Sequence, residues 1–207
     1  MSGALAPVAA GFGLGIALAG APGPVQAIIL TETVRGGMSR GVRVQVGANA
    51  TFAVLLAALA LGLSFVAPSG AVLRALEIVG GIFLVAVAAD ALRASGAGGD
   101  GAGGRVVLPL EARGVLAVVL NPGAWLFLAT AASSLFASAA HGGGTPAALI
   151  AALALAIGLA LGDAAVVLLG GLGMRRLRAG TVMWIRRALA AVVGVLGIWL
   201  CVTGILG

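Results

Sequence analysis

The sequence predicts an all-α integral membrane protein, with six transmembrane helices arranged as two inverted three-helix repeats. Three observations carry that expectation. The 207-residue chain is 61% hydrophobic and only 9% charged, with a mean hydropathy of +1.21, too little polar material to cover a soluble domain. Its apolar residues fall into six runs, each reaching or exceeding the roughly 20 residues that a membrane-spanning helix needs. A stretch of Gly, Ala, Ser and Asp over residues 95–104 separates these runs three and three, and it reads as a flexible linker.

In order, the runs cover residues 4–34, 44–67, 72–92, 114–138, 147–173 and 184–206. They form a single transporter-sized domain over 1–207, with repeat one at about 4–93, a linker at 94–112 and repeat two at about 113–207. The first run contains a small-residue pattern, Ala17-Leu18-Ala19, that resembles a signal-peptide cleavage site. No Arg precedes it, however, and the apolar run continues to Leu30, so it is expected to stay as a span. It is too long for one straight crossing, since a helix of that length would reach about 40 Å. The sequence Ala21-Pro22-Gly23-Pro24 predicts a break inside it.

The fourth run opens on a second such sequence, Asn121-Pro122-Gly123-Ala124. Each half therefore begins with an interrupted helix. Three spans per half force the halves to insert with opposite orientation, the inverted-repeat arrangement of many secondary transporters.

The arginines set the sidedness. Eleven of the twelve fall in or beside three alternate loops: Arg35, Arg40 and Arg43; Arg93, Arg105 and Arg113; Arg175, Arg176, Arg178, Arg186 and Arg187. The other side has only Arg74, together with His141. This bias places the Arg-rich loops in the cytoplasm and both termini outside. The net charge of +6 is thus a topology signal rather than a nucleic-acid-binding face, and no nucleic-acid partner is expected. The single cysteine, Cys201, has no partner for a disulfide or a CxxC pair.

A broken helix in a bilayer persists only where it is buried in protein or lines a polar cavity. Proline lacks an N–H, so Pro22, Pro24 and Pro122 should free the carbonyls of Leu18, Gly20 and Val118. Beyond each break a new half-helix starts with unpaired amides, expected at Val25 and Gln26 and at Gly123, Ala124 and Trp125. Such amides attract anions, with Asn121 as an N-cap and Pro122 in the first helical position. Carbonyls for a cation beside amides for an anion suit a zwitterion.

Asp163 is the one acid deep within a span, and an intramembrane carboxylate is a functional candidate by default. It is a candidate for the substrate ammonium, for the coupling proton, or for a structural hydrogen bond. Gln45 and Asn49 share a face of span 2. Glu32 with Arg35, Arg74 with Glu77, and Asp90 with Arg93 are spaced as interfacial ion pairs. The spacings Gly11/Gly15 and Gly158/Gly162 predict close helix packing, and Trp125, Trp184 and Trp199 read as packing or interface anchors. The candidate substrate-binding set is Pro22, Gly23, Pro24, Gln26, Asn49, Asn121, Pro122, Gly123 and Asp163.

Taken together, Pro22-Gly23-Pro24, the spaced glycines Gly37, Gly41 and Gly47, and Asn121-Pro122-x-Ala124-Trp125 resemble the LysE/RhtB-type amino-acid exporter family. The resemblance spans nearly the whole chain. It implies a bacterial inner-membrane exporter of amino acids or related metabolites, with no cofactor and a proton or sodium gradient as driving force. Its partners would be a small-molecule substrate and membrane lipid, with assembly into a homodimer left open. Where the family usually has Asn-Pro-Lys-Ala, this chain has Gly123 in the third position.

Two other functions compete. A metal or inorganic-ion exporter would need clustered carboxylate, His or Cys ligands. An intramembrane aspartyl protease would need a second deep Asp, and Ala160-Leu161-Gly162-Asp163 is only half of a Gly-x-Gly-Asp signature. No enzymatic activity is expected.

Overall fold

The computed structural model describes residues 2–21, 23–62, 69–96, 108–175 and 177–206. Most of the linker, and Pro22, lie outside the described residues. Helices α1 (Ser2–Gly20), α2 (Pro24–Gly36), α3 (Met38–Ala60) and α4 (Gly70–Gly96) form the first half. The second comprises α5 (Leu110–Val119), α6 (Pro122–Phe127), a π-helical turn (Leu128–Ala132), α7 (Ser133–Arg175) and α8 (Ala179–Leu206).

By length and apolarity, four segments are able to cross a membrane: Met38–Ala60, Gly70–Arg93, Pro122–Gly173 and Gly180–Leu206. The bent pair Leu5–Gly20 and Pro24–Gly36 makes a fifth if taken as one span. The segment Pro122–Gly173 holds 52 residues, far more than the roughly 20 of one crossing. It is interrupted at Gly143 and Gly144, where φ and ψ leave the helical region. Gly144 has φ 67°, a left-handed conformation that glycine adopts without steric cost. α7 therefore has two arms, 133–142 and 145–175.

The other boundaries have local causes. α1 and α2 meet at an angle of 62°, with Pro24 starting α2 where its missing N–H is harmless. α2 ends at Gly37, whose φ of 87° lets its N–H reach the Thr33 carbonyl at 2.8 Å. α3 follows at once. α5 stops at Leu120, and Asn121 turns the chain into α6.

The interior is built from medium-sized aliphatic side chains, among them Ile28, Ile29, Val44, Leu56, Leu84, Leu128 and Leu155, all buried. Large apolar residues also cover the outside: Leu169 is 74% exposed, Trp184 73% and Ile205 70%. An apolar exterior around an apolar interior suits lipid as the surrounding solvent.

Glycines let three helix pairs touch through their backbones. A methyl group on Gly11, Gly15 or Gly158 would strike main-chain atoms across the α1–α7 contact, and one on Gly162 would strike the Ala19 methyl. Gly47 and Gly114 do the same between α3 and α5, and Gly81 and Gly197 between α4 and α8. With little hydrophobic drive between helices in lipid, such close approach is how they hold together.

Candidate functional site

At the break between α1 and α2 the first backbone donors of α2 find no acceptor among the described residues. Gly23 has no side chain to cap α2. The first intrahelical bond across it runs from the Ala27 N–H to the Gly23 carbonyl at 2.9 Å. The amides of Val25 and Gln26 have no acceptor among the described residues. The Leu18 carbonyl, expected to be free, accepts the Ala21 N–H at 3.2 Å.

The break between α5 and α6 closes on itself, contrary to the expectation of bare amides and carbonyls. Asn121 Oδ1 accepts the Gly123 N–H at 3.0 Å. The Asn121 carbonyl accepts the Ala124 N–H at 3.0 Å and the Trp125 N–H at 3.4 Å. The Asn121 N–H satisfies the Val118 carbonyl at 3.1 Å, and the Trp125 indole donates to the Val119 carbonyl at 2.8 Å. Trp125 is therefore a cap on the broken end as well as a packing residue. The physical reason is local: asparagine has a side-chain acceptor to offer the new helix, whereas Gly23 has none.

The two breaks meet. Pro24 and Asn121 line one crevice with Gly80, Phe83, Leu84, Leu120 and Leu200. Its volume is about 10 Å³, near the lower limit for a single water, so the bundle is closed at this point. Pro122 is buried, and Gly123 is exposed.

Two residues further along α2, Gln26 Nε2 donates to Asp163 Oδ1 at 3.4 Å. The Asn49 side chain adjoins the same carboxyl. Asp163 is fully buried. Its Oδ2 and Asn49 Oδ1 are buried without a hydrogen-bond partner. Gln45, one turn before Asn49, donates to the Ala160 carbonyl at 2.8 Å, so it ties α3 to α7 rather than lining open space. The candidate residues thus fall into two adjoining groups joined by the first turn of α2: Pro24 with Asn121, and Gln26 with Asn49 and Asp163.

The expected ion pairs are redrawn. Glu32 is fully buried and Asp90 is 1% exposed, so Asp163 is not the sole buried acid among the described residues, although the other two lie near span ends. Glu32 Oε1 accepts from Arg113 Nη1 at 2.6 Å, and its Oε2 from Arg40 Nη2 at 2.6 Å. Asp90 Oδ2 accepts from Arg35 Nη1 at 2.6 Å and lies 3.4 Å from Arg113 Nη1. The local Glu32–Arg35 contact is looser, at 3.9 Å. Neither Arg74 with Glu77 nor Asp90 with Arg93 forms an ion pair among the described residues.

Long arginine side chains reach across helices to buried carboxylates because an unpaired charge there is far costlier than a stretched side chain. The cluster binds α2, α3, α4 and α5 at the arginine-rich end of the bundle. Sequence spacing missed it, although Glu32, Asp90 and Arg113 all lie within a turn of predicted span ends on one membrane face. Glu111, outside the spans, accepts a hydrogen bond from Arg43 at 2.6 Å, which holds its carboxyl below the usual carboxylate range.

The π-helical turn after α6 was also not legible. There the Ser133 hydroxyl donates to the Leu128 carbonyl at 2.7 Å. Such turns gather at functional positions in helices. Among the described residues no group of three His, Cys, Asp or Glu side chains is placed to hold a metal ion.

Interrupted helices that converge inside an apolar bundle, beside a buried carboxyl with no counter-charge among the described residues, mark a multi-pass helical membrane protein. The chain belongs to the LysE type translocator family, whose model matches residues 16–204. It is accordingly a membrane translocator, of a family that exports amino acids or related compounds. No curated protein and no solved structure matches the chain.

Proposed function

We propose that this protein is a six-span secondary exporter of the bacterial inner membrane, moving amino acids or related small metabolites by alternating access. The substrate is held where the two broken helices converge. The observation that carries this reading is the shared crevice of Pro24 and Asn121. It is closed here, as an occluded carrier requires. The open amides of Val25 and Gln26 would take a substrate carboxylate, while the break at Asn121 serves as a rigid, self-capped wall. Gly123, in place of the usual lysine, leaves that wall without a cation.

Six spans follow if the bent α1–α2 pair is one crossing, α5 with α6 and the first arm of α7 a second, and the second arm a third. The packing then survives exchange of the halves. α3 against α5 mirrors the second arm of α7 against α1, and α4 against α8 maps onto itself, which supports an inverted repeat. With the arginine-rich end in the cytoplasm, an inward-open state requires α2, α4 and α5 to part at the Glu32–Arg113–Asp90 junction.

The test is efflux from bacteria preloaded with a panel of amino acids, with and without this gene. Faster loss of one amino acid or a related group, abolished by Pro24→Leu in a protein that still inserts, is the expected result. Identical efflux across the whole panel would refute the reading.

A further inference from the structure

Resting on that reading, we propose that Asp163, with Asn49 beside it, is the proton-binding site that couples export to a proton gradient, and that the substrate binds elsewhere. Three observations lead there.

The first is the absence of a counter-charge. Asp163 is fully buried, and no cation pairs with it among the described residues. The groups that face it are neutral: Gln26 from α2, Asn49 from α3, and on the α1 side Ala19, packed against neighbouring Gly162. Nearby Gln45 is neutral and bonded to Ala160. The other two buried acids behave differently. Glu32 has Arg113 and Arg40 at 2.6 Å, and Asp90 has Arg35 at 2.6 Å. An ionised carboxylate without a partner in an apolar interior is strongly disfavoured, which favours the protonated, neutral group in this closed form.

The second is the pair of orphan acceptors, Asp163 Oδ2 and Asn49 Oδ1. A proton on the carboxyl gives the partnerless Oδ2 a hydrogen of its own, in surroundings where Asn49 Oδ1 is also left without a donor. A hard metal cation would want about six oxygen ligands. Asp163 and Asn49 offer three, and Asp163 Oδ1 is already engaged by Gln26.

The third is separation. The crevice lined by Pro24 and Asn121 includes none of Asp163, Gln26 and Asn49. The two loci are joined through the first turn of α2, where Pro24 lines one and Gln26 bonds in the other. Loss of the proton turns the Gln26 bond into a charge-assisted one and strengthens it, drawing on the turn that carries Pro24. Protonation thus reports to the substrate site through two residues of one helix. The chemistry is a single proton taken up by the Asp163 carboxylate from one side and released to the other.

The experiment uses the purified full chain in liposomes, with an equimolar mixture of the twenty amino acids, a pH-sensitive dye inside, and mass spectrometry of contents. Wild type should accumulate substrate against its gradient when a pH gradient is imposed, and should move protons only when substrate is present. Asp163→Asn, which mimics the protonated carboxyl, should lose both by tenfold or more. It should keep gradient-free substrate exchange within about threefold. Asp163→Glu should recover part of the proton movement, which guards against a folding defect.

Exchange lost together with proton flux in a well-folded Asp163→Asn protein would mean that Asp163 holds the substrate, overturning the proposal. So would undiminished proton flux in that variant, or accumulation driven by sodium alone. Infrared titration of the protein without substrate gives an independent reading: a protonated-carboxyl band present in wild type and missing in Asp163→Asn. Its absence from wild type sinks the proton site, whereas failure of every amino acid to exchange sinks the substrate reading.

Discussion

Two glycines on one helix offer a controlled measurement of what holds the first broken helix in place. Gly13 and Gly15 both lie in α1. A methyl group at Gly13 meets nothing within 4 Å. At Gly15 it would fall against the Leu155 carbonyl oxygen, 2.7 Å from the Leu159 nitrogen and 3.1 Å from the Gly158 carbonyl carbon. All three are backbone atoms, which have no rotamer to change. Relief requires the two helices to separate by roughly 1 Å to reach ordinary contact distances, and that unpacks the neighbouring Gly11, Gly158 and Gly162 contacts as well.

Alanine is favoured over glycine within a helix, but that gain is common to both substitutions and cancels in the comparison. Gly15→Ala should therefore be less stable than Gly13→Ala by about 1–3 kcal/mol, the usual cost of overpacking. Reversible unfolding in mixed detergent micelles, with both variants at equal protein-to-detergent ratio, measures the difference. The same shift pulls α1 away from Gly162 and hence from Asp163, so transport should fall in Gly15→Ala and hold in Gly13→Ala. Equal stability of the two variants would refute backbone-to-backbone packing of α1 on α7.

Two further outcomes follow from the site. Arg113→Gln removes the guanidinium that serves both Glu32 and Asp90, and should cost about 3–5 kcal/mol, as expected when a buried charge is left uncompensated; adding Glu32→Gln should recover part of it, and additive losses in the same unfolding assay would argue against a coupled cluster. Asn121→Ala deletes the acceptor for the Gly123 N–H and should cost about 0.5–2 kcal/mol, with a larger proportional loss of transport than of stability; unchanged exchange in liposomes would remove Asn121 from the substrate wall.

Much of the architecture could be read from residue order because its causes are local. Hydropathy marks spans one run at a time, and proline beside glycine or asparagine favours ending one helix and starting another, so the interruptions at Pro24 and Pro122 and the cap at Asn121 needed no knowledge of neighbours. Gly11, Gly15, Gly158 and Gly162 announced close packing by spacing alone. The self-closure of the second break was harder to read, because it depends on where the Trp125 indole points, and composition does not encode direction. The charges were read least well. Spacing along one helix paired Glu32 with Arg35 and Asp90 with Arg93, but burial selects the strongest available partner in space.

The sequence alone thus determined that this chain lives in a membrane, where its helices break, and that Asp163 lies deep within one of them. Only the tertiary structure decided that Gln26 and Asn49 close around Asp163, that Pro24 and Asn121 share one crevice, and that Arg113 joins Glu32 to Asp90. Chain-local forces set where a helix starts and stops. The partner of a buried polar group is set by desolvation, which depends on everything packed around it.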